Sequence, residues 1–260
     1  MSQDITAGVI FDTTPQHYIT FGDFNSRIYN LHMGVREFPT PDEKHVIKSL
    51  PYMQGVIDLS TLRGCRTYEN RTGRYVFYRF RTSQNEANRL QTDIENLLMG
   101  PFNTELNDTF EPNYHYIGKC QSVVTEHDYE YDRLIIEITF DLYCFKAGNT
   151  PVGRDLWDPF NFSTDAFQTT SFEVPYAVAT NIILVNTGQN VVSPTISVSE
   201  YDAPDDGGYF QIRKGGVTYT FQPGESSPKL RLDLGENKLT MLLTVPGTVT
   251  VSFLWYRELI

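Results

Sequence analysis

The sequence has no G-x-G, no P-loop, no C-x-x-C and no H-E-x-x-H. The first absence excludes a dinucleotide fingerprint, the second a phosphate-cradling NTPase loop, and the last two exclude the commonest zinc frameworks. Cysteine is scarce: Cys65, Cys120 and Cys144 are odd in number and spaced too widely for a disulfide scaffold. They are expected as free thiols of a protein made in a reducing cytosol. The start, MSQDITAG, lacks the basic region and apolar core of a secretory signal. No apolar run approaches the roughly 18 residues of a membrane span, so a soluble protein away from membranes is expected. Basic charge is also short, with 21 Lys and Arg against 32 Asp and Glu. A net charge of −11 argues against a general nucleic-acid binder, which needs a basic footprint for phosphates. The acidity is no tail: residues 1–147 carry about −6 and the remainder about −5.

What is present is enough apolar material for packed cores. At 260 residues the chain suits two domains, and 40% hydrophobic with 13% aromatic content excludes a disordered chain.

Helical spacing occurs convincingly once, in SQNEANRLQTDIENLLMG from Ser83 to Gly100. Ala87, Leu90, Ile94, Leu97 and Leu98 share a face opposite Asn88, Arg89, Asp93 and Glu95. Ser83 and Glu86 have capping-box spacing, and Gly100-Pro101 predicts a stop with glycine in the left-handed cap. The helix is predicted over about 84–99 and must lay its stripe on a sheet.

Everything else reads as strand and turn. In the first half these are His17–Phe21, Ile28–Phe38, Lys44–Leu50, Val56–Leu59 and Arg74–Arg81, then a hairpin of Tyr114–Glu126 with Leu134–Phe145. Leu134, Ile136, Ile138, Phe140, Leu142 and Cys144 fall on one face, and so long a hairpin is expected to reach a neighbour. Residues 148–170, rich in Gly, Asn, Pro and Asp and holding Trp157 and Phe160, predict a partly packed linker. Beyond it come Ile182–Val185, Thr195–Tyr201, Tyr209–Lys214, Val217–Phe221, Lys229–Leu234, Lys238–Val245 and Thr248–Tyr256. Gly215-Gly216 suits a type I′ hairpin. Short antiparallel strands without helices predict a β-sandwich of jelly-roll type. The fold expected is mainly β. An α+β domain over 1–147 sets one helix on a β-sandwich or split-barrel-like sheet, and a sandwich over 171–260 follows.

Few residues suggest chemistry. Gly224-Glu225-Ser226-Ser227-Pro228 fails the nucleophile elbow at its last position, and His17, His32, His45, His115 and His127 are scattered. Asp202, Asp205 and Asp206 read either as calcium oxygens or as a solvated loop. Glu126, Asp128, Glu130 and Asp132 alternate around the hairpin turn and read as solvated charge, the alternative being a glycosidase carboxylate pair, which needs a sugar cleft. Arg63, Arg66, Arg71, Arg74, Arg79 and Arg81 concentrate on one stretch, faced only by Glu69. They read either as a protein interface or as a strand edge guarded against mispairing. No catalytic set, cofactor or metal is expected.

In its order of features the chain resembles the distal tail proteins (Dit) of siphovirus-type tailed phages. The features are the strand at 28–38, SLPYMQGVIDLS at 49–60, the arginine–aromatic strand, the lone helix and EITFDLYCFKA at 137–147. NTGQNVVSPTISVS at 186–199 and LDLGENKLTMLLTVPGTVTVSFLWYREL at 232–259 complete the order. PYMQG departs from the glycine–Arg/Lys–Asp–Gly turn frequent in that family. The resemblance implies a homo-oligomer: an N-terminal domain assembling as a hexameric ring and a galectin-like C-terminal sandwich outside it. It implies a baseplate hub between the tail-tube protein and the tail-associated lysin or fibre protein, with receptor-binding proteins around it. DNA would pass the channel without being specifically bound. The six arginines and hairpin 114–145 are then candidate subunit contacts, and Glu126, Asp128, Glu130 and Asp132 a candidate acidic lumen or inter-subunit loop. A lectin-like module adhering to the host cell wall is the alternative.

Overall fold

The computed structural model describes residues 15–52, 54–60, 66–80, 82–131, 133–153, 168–199, 210–221 and 230–260. It is mainly β, with one helix among the described residues. The described residues form two compact units, one of those up to 112 with 116–144, the other of 113–115 with those from 145 on.

In the first unit the strands are β1 (Ile19–Phe21), β2 (Phe24–Asn25), β3 (His32–Glu37), β4 (Ile47–Lys48), β5 (Ile57–Asp58) and β6 (Arg71–Phe80). Helix α1 (Gln84–Met99) follows, then β7 (Thr104–Asp108), β8 (Tyr114–Asp128) and β9 (Arg133–Leu142). The main sheet runs β2-β1-β7-β8-β9-β6-β3. Within it the antiparallel β6–β9 ladder keeps an unbroken register from Arg71 opposite Leu142 to Phe80 opposite Arg133. Without a bulge the side chains alternate cleanly, so Leu134, Ile136, Ile138, Phe140 and Leu142 all point into the core. Ala87, Leu90, Ile94 and Leu98 of α1 meet them there, with Leu97 partly buried alongside. Burying each such leucine or isoleucine contributes about 1.5–3 kcal/mol, which fixes the helix to the sheet.

The helix begins as predicted, with Ser83 Oγ accepting the Glu86 N–H at 3.4 Å. The reciprocal half of the capping box is not what Glu86 does; its carboxylate takes Arg79 at 3.0 Å. The stop also differs from expectation. Gly100 has φ −77°, right-handed, and the left-handed turn falls on Asn103 at φ +50°. Proline at 101 already ends the ladder, so glycine's special freedom goes unused. The strand expected over 28–38 starts only at His32, because 25–31 coil into turns with Asn30 at φ +54°. Strand β7 was not anticipated: TELND is polar, and only Leu106 and Asp108 face inward.

The second unit holds β10 (Lys146–Pro151), β11 (Ser171–Pro175), β12 (Thr180–Asn186), β13 (Thr195–Val198), β14 (Phe210–Lys214) and β15 (Val217–Phe221). It closes with β16 (Gly235–Leu243), β17 (Thr248–Leu254) and β18 (Tyr256–Leu259). Sheets β11-β17-β13 and β12-β16-β14-β15 share one core, including Val174, Ile196, Phe253, Leu184, Phe210 and Met241, which makes a two-layer sandwich. Gly215 and Gly216 at φ +55° and +83° form the tight β14–β15 turn that the sequence predicts.

Three expectations change here. Lys146–Pro151, mostly assigned to the linker, is a strand pairing with β18 on one side and with Tyr114 and His115 on the other. Of the strand predicted over 229–234, the described residues 230–234 hold a single bridge, Val192 to Leu232, with Leu230 and Leu232 buried. The last predicted strand is two: the chain leaves the sandwich after Leu254, and Tyr256–Leu259 joins β10 instead of β11 and β13. Residues 154–167 of the expected linker, with Trp157 and Phe160, and the loop of Asp202, Asp205 and Asp206 lie outside the described residues.

Candidate functional site

Of the six arginines, Arg63 and Arg81 lie outside the described residues. The other four are not one patch. Strand alternation puts Arg71 and Arg79 on the face of β6 that carries Tyr75 and Phe77, and Arg74 on the opposite face. Arg74 is held by carboxylates of its own chain. Its Nε and Nη2 donate to Glu137 at 2.7 and 2.8 Å, and Nη1 donates to Glu37 at 3.0 Å. The hydrogen bond from Arg74 holds the Glu137 carboxyl below its ordinary range, against a smaller desolvation effect. Arg79 pairs with Glu86 on the helix, and exposed Arg66 lies 3.6 Å from Glu43.

Arg71 is the exception. It is buried, with Nη1 3.5 Å from the Tyr116 hydroxyl and its guanidinium 5.4 Å from that ring centre, while Nε and Nη2 have no hydrogen-bond partner among the described residues.

Arg71 stands at the margin of a polar network that sequence reading missed. Arg36 Nε donates to Asp108 at 2.5 Å and Arg36 Nη2 to Glu111 at 2.7 Å. The Tyr75 hydroxyl donates to Asp108 at 2.8 Å, the Tyr116 hydroxyl to Glu111 at 2.9 Å, and the Phe110 N–H to Asp108 at 2.9 Å. Arg36 also lies 4.6 Å over Phe38. Burial pushes the Tyr116 phenol up to about 12, helped by the charge and hydrogen bond of Glu111. Burial raises Tyr75 further, with Asp108 adding to it. Arg36 gains proton affinity despite burial, because Asp108, Tyr75 and Glu111 outweigh desolvation. Both phenols donate to carboxylates, so this network ties β3 and β6 to the end of β7 and to β8. Arg36 and Asp108 are 72 residues apart, so no local pattern could pair them.

At the acidic turn, Glu126 and Glu130 are exposed and Asp132 lies outside the described residues. Asp128 accepts Arg133 Nε at 2.8 Å and the Glu130 N–H at 3.2 Å. Desolvation raises its pKa, but Arg133 and the backbone N–H groups of Tyr131 and Glu130 outweigh it and keep the carboxyl below its ordinary range. Arg133 in turn stacks on Tyr78 and Tyr131 at 4.7 and 4.9 Å. Among the described residues no three His, Cys, Asp or Glu side chains gather as metal ligands. No described helix is long and apolar enough to cross a membrane. Trp255 is buried, so it provides no stacking platform for a sugar.

The architecture is that of a two-unit β protein whose polar clusters tie strands together. Neither a family model nor any curated protein matches the sequence. Among solved structures, the chain is similar to the Dit protein (gp 19.1) of phage SPP1, a paradigm of the hub adsorption apparatus in phages that infect Gram-positive bacteria. The TM-score is 0.62 at 12% identity, and the match covers 94% of this chain and 99% of that one. The chain therefore has the fold of a Dit hub protein along nearly its whole length.

Proposed function

We propose that this chain is a structural component of a phage tail tip, a hub whose first unit assembles into a ring, hexameric by analogy. The ring sits between the tail tube and the lysin or fibre protein, with receptor-binding proteins attached around it. The observation that carries this reading is the structural match to a hub protein, which covers 94% of this chain and so takes in residues of both units.

Acidic balance fits the setting. Six copies of the first 147 residues would carry about −36, and a channel sharing that charge repels phosphates so that DNA passes without sticking. Negative-stain imaging or mass photometry of the purified protein tests the reading. A six-fold annulus supports it; a protein that stays monomeric at high micromolar concentration overturns it.

A further inference from the structure

Strand β12 is one edge of the sheet β12-β16-β14-β15, so among the described strands only one of its sides is paired. Gln168 shows which backbone groups face the open side. Its Nε2 donates to the Val185 carbonyl at 2.8 Å, and its Oε1 accepts the Val185 N–H at 2.8 Å. Backbone groups of successive residues alternate between the two sides of a strand. Asn181 and Ile183 therefore point their N–H and C=O the same way as Val185, while Ile182, Leu184 and Asn186 turn theirs to Leu239, Asn237 and Gly235 of β16. The Thr240 hydroxyl agrees, donating to the Asn181 side chain at 2.7 Å across a pair not bonded through its backbone, where opposing side chains stand closer. Among the described residues nothing pairs with the backbone of Asn181 or Ile183.

Native edges are ordinarily guarded by charge, proline or a bulge. Edge strand β11 carries Glu173 and Pro175. Strand β12 carries none of these: its register with β16 is unbroken, and no Asp, Glu, Lys or Arg occurs from Val174 to Ser199. Across the ladder, Glu236 and Lys238 of β16 are one charge of each sign. Ile183 stands 52% exposed on the outer face.

Gln168 also identifies the occupant. A side-chain carboxamide is a peptide group without its chain. Its two bonds to Val185 are those a residue of an added antiparallel strand exchanges with its opposite. We propose that the β12 edge binds an extended, uncharged peptide segment of a partner protein by strand addition, at the rungs of Asn181 and Ile183, with Gln168 closing the rung at Val185. Backbone pairing supplies affinity, and the neutral edge with Ile183 beside it selects an uncharged segment with an apolar side chain there. A second copy fits less well. The two-fold antiparallel pairing that sets Asn181 against Ile183 brings Val185 opposite Ala179, so Gln168 obstructs both ends. The site lies within the second unit and stands whether or not the first unit forms a ring.

The test uses the full chain and a fluorescent, end-capped peptide Ser-Thr-Val-Thr-Val-Thr-Ser, read by anisotropy and by residue-resolved hydrogen exchange. At millimolar concentration the peptide should slow exchange of the Asn181 and Ile183 amides by at least about tenfold. The same peptide N-methylated at its five central residues keeps its side chains but cannot pair, and should not bind. Ile183→Pro removes only an outward N–H, so it should keep the β12–β16 ladder yet weaken binding at least about tenfold. Gln168→Ala opens a third rung and should tighten binding about tenfold. If Ile183→Pro does not fold, Gln168→Ala decides, because a merely structural Gln168 would leave binding unchanged or weaker. That result, binding of the N-methylated peptide, or no protection of Asn181 and Ile183 overturns strand addition. Protection that arises without peptide and grows with protein concentration gives the edge to a second copy and overturns the partner segment.

Discussion

Arg74 grips Glu137 with two prongs, Nε to Oε1 at 2.7 Å and Nη2 to Oε2 at 2.8 Å, across the β6–β9 ladder. The pair is half exposed, so its worth lies in geometry and pH response more than in bulk stability. The folded-state pKa of Glu137 lies below its ordinary 4.5. Its contribution is therefore complete above that value and fades as pH falls through the lower folded value. Glu137→Gln should lower the melting temperature by no more than a few degrees at pH 7, and the deficit should shrink as the pH is taken progressively below 4.5. Thermal melts across a pH series check this; a deficit that widens in acid contradicts it.

Asp108 presents the opposite balance. Its side chain is 1% exposed and takes Arg36, the Tyr75 hydroxyl and the Phe110 N–H together. Asp108→Ala strands the buried Tyr75 hydroxyl, frees the Phe110 N–H and leaves Arg36 with Glu111 alone. The expected loss is about 3 kcal/mol, measured by urea unfolding. A loss no larger than that of an exposed salt bridge would show that the network is ornamental.

Ile94 is fully buried where α1 meets the sheet. Truncation to alanine there should cost about 2–5 kcal/mol, since neighbouring strands are hydrogen-bonded on both sides and cannot collapse into the void. Arg89, on the exposed face of the same helix, serves as the control: Arg89→Ala should change urea unfolding little. Equal losses at the two positions would contradict the packing described for α1.

These contrasts explain what was readable in the sequence. Period and cap located α1, because Ala87, Leu90, Ile94 and Leu98 obey a local rule that packing also obeys. Strict alternation located β9 for the same reason. The failures are long-range. TELND becomes a strand because Leu106 and Asp108 find inward partners, and Tyr256–Leu259 changes sheet because β10 offers an edge. For the candidate site, sequence singled out the arginines but not their partners: Glu137 lies 63 residues from Arg74. It also left out Arg36, the arginine most deeply wired into the fold, since an isolated arginine in a strand carries no signal.

Cys120 is buried, and burial pushes its thiol up to about 11, against a smaller opposing effect from the Ser122 backbone. At pH 8 almost none of it is thiolate, and the thiolate is the reacting form. Iodoacetamide on the folded protein should leave Cys120 unmodified over hours, while urea should expose it at once. Peptide mass spectrometry reads both states. Rapid labelling in the fold would mean that β8 opens locally far more often than its ladder implies.

Gly118 sits opposite Leu142 in the β8–β9 ladder, just before the register shift between Cys120 and Ser122. A β-carbon built there would stand 2.2 Å from the Asp141 carbonyl oxygen and 2.8 Å from the Leu142 Cα, both backbone atoms. Neither can swing aside as a side chain could, so the strands must separate. Gly118→Ala should therefore destabilise by more than the usual overpacking cost of about 1–3 kcal/mol. Gly216→Ala gives a useful comparison: space there is open but φ is +83°, so its cost is backbone strain alone. If Gly118→Ala unfolds in urea no earlier than Gly216→Ala, the close approach of β8 and β9 at this point is wrong.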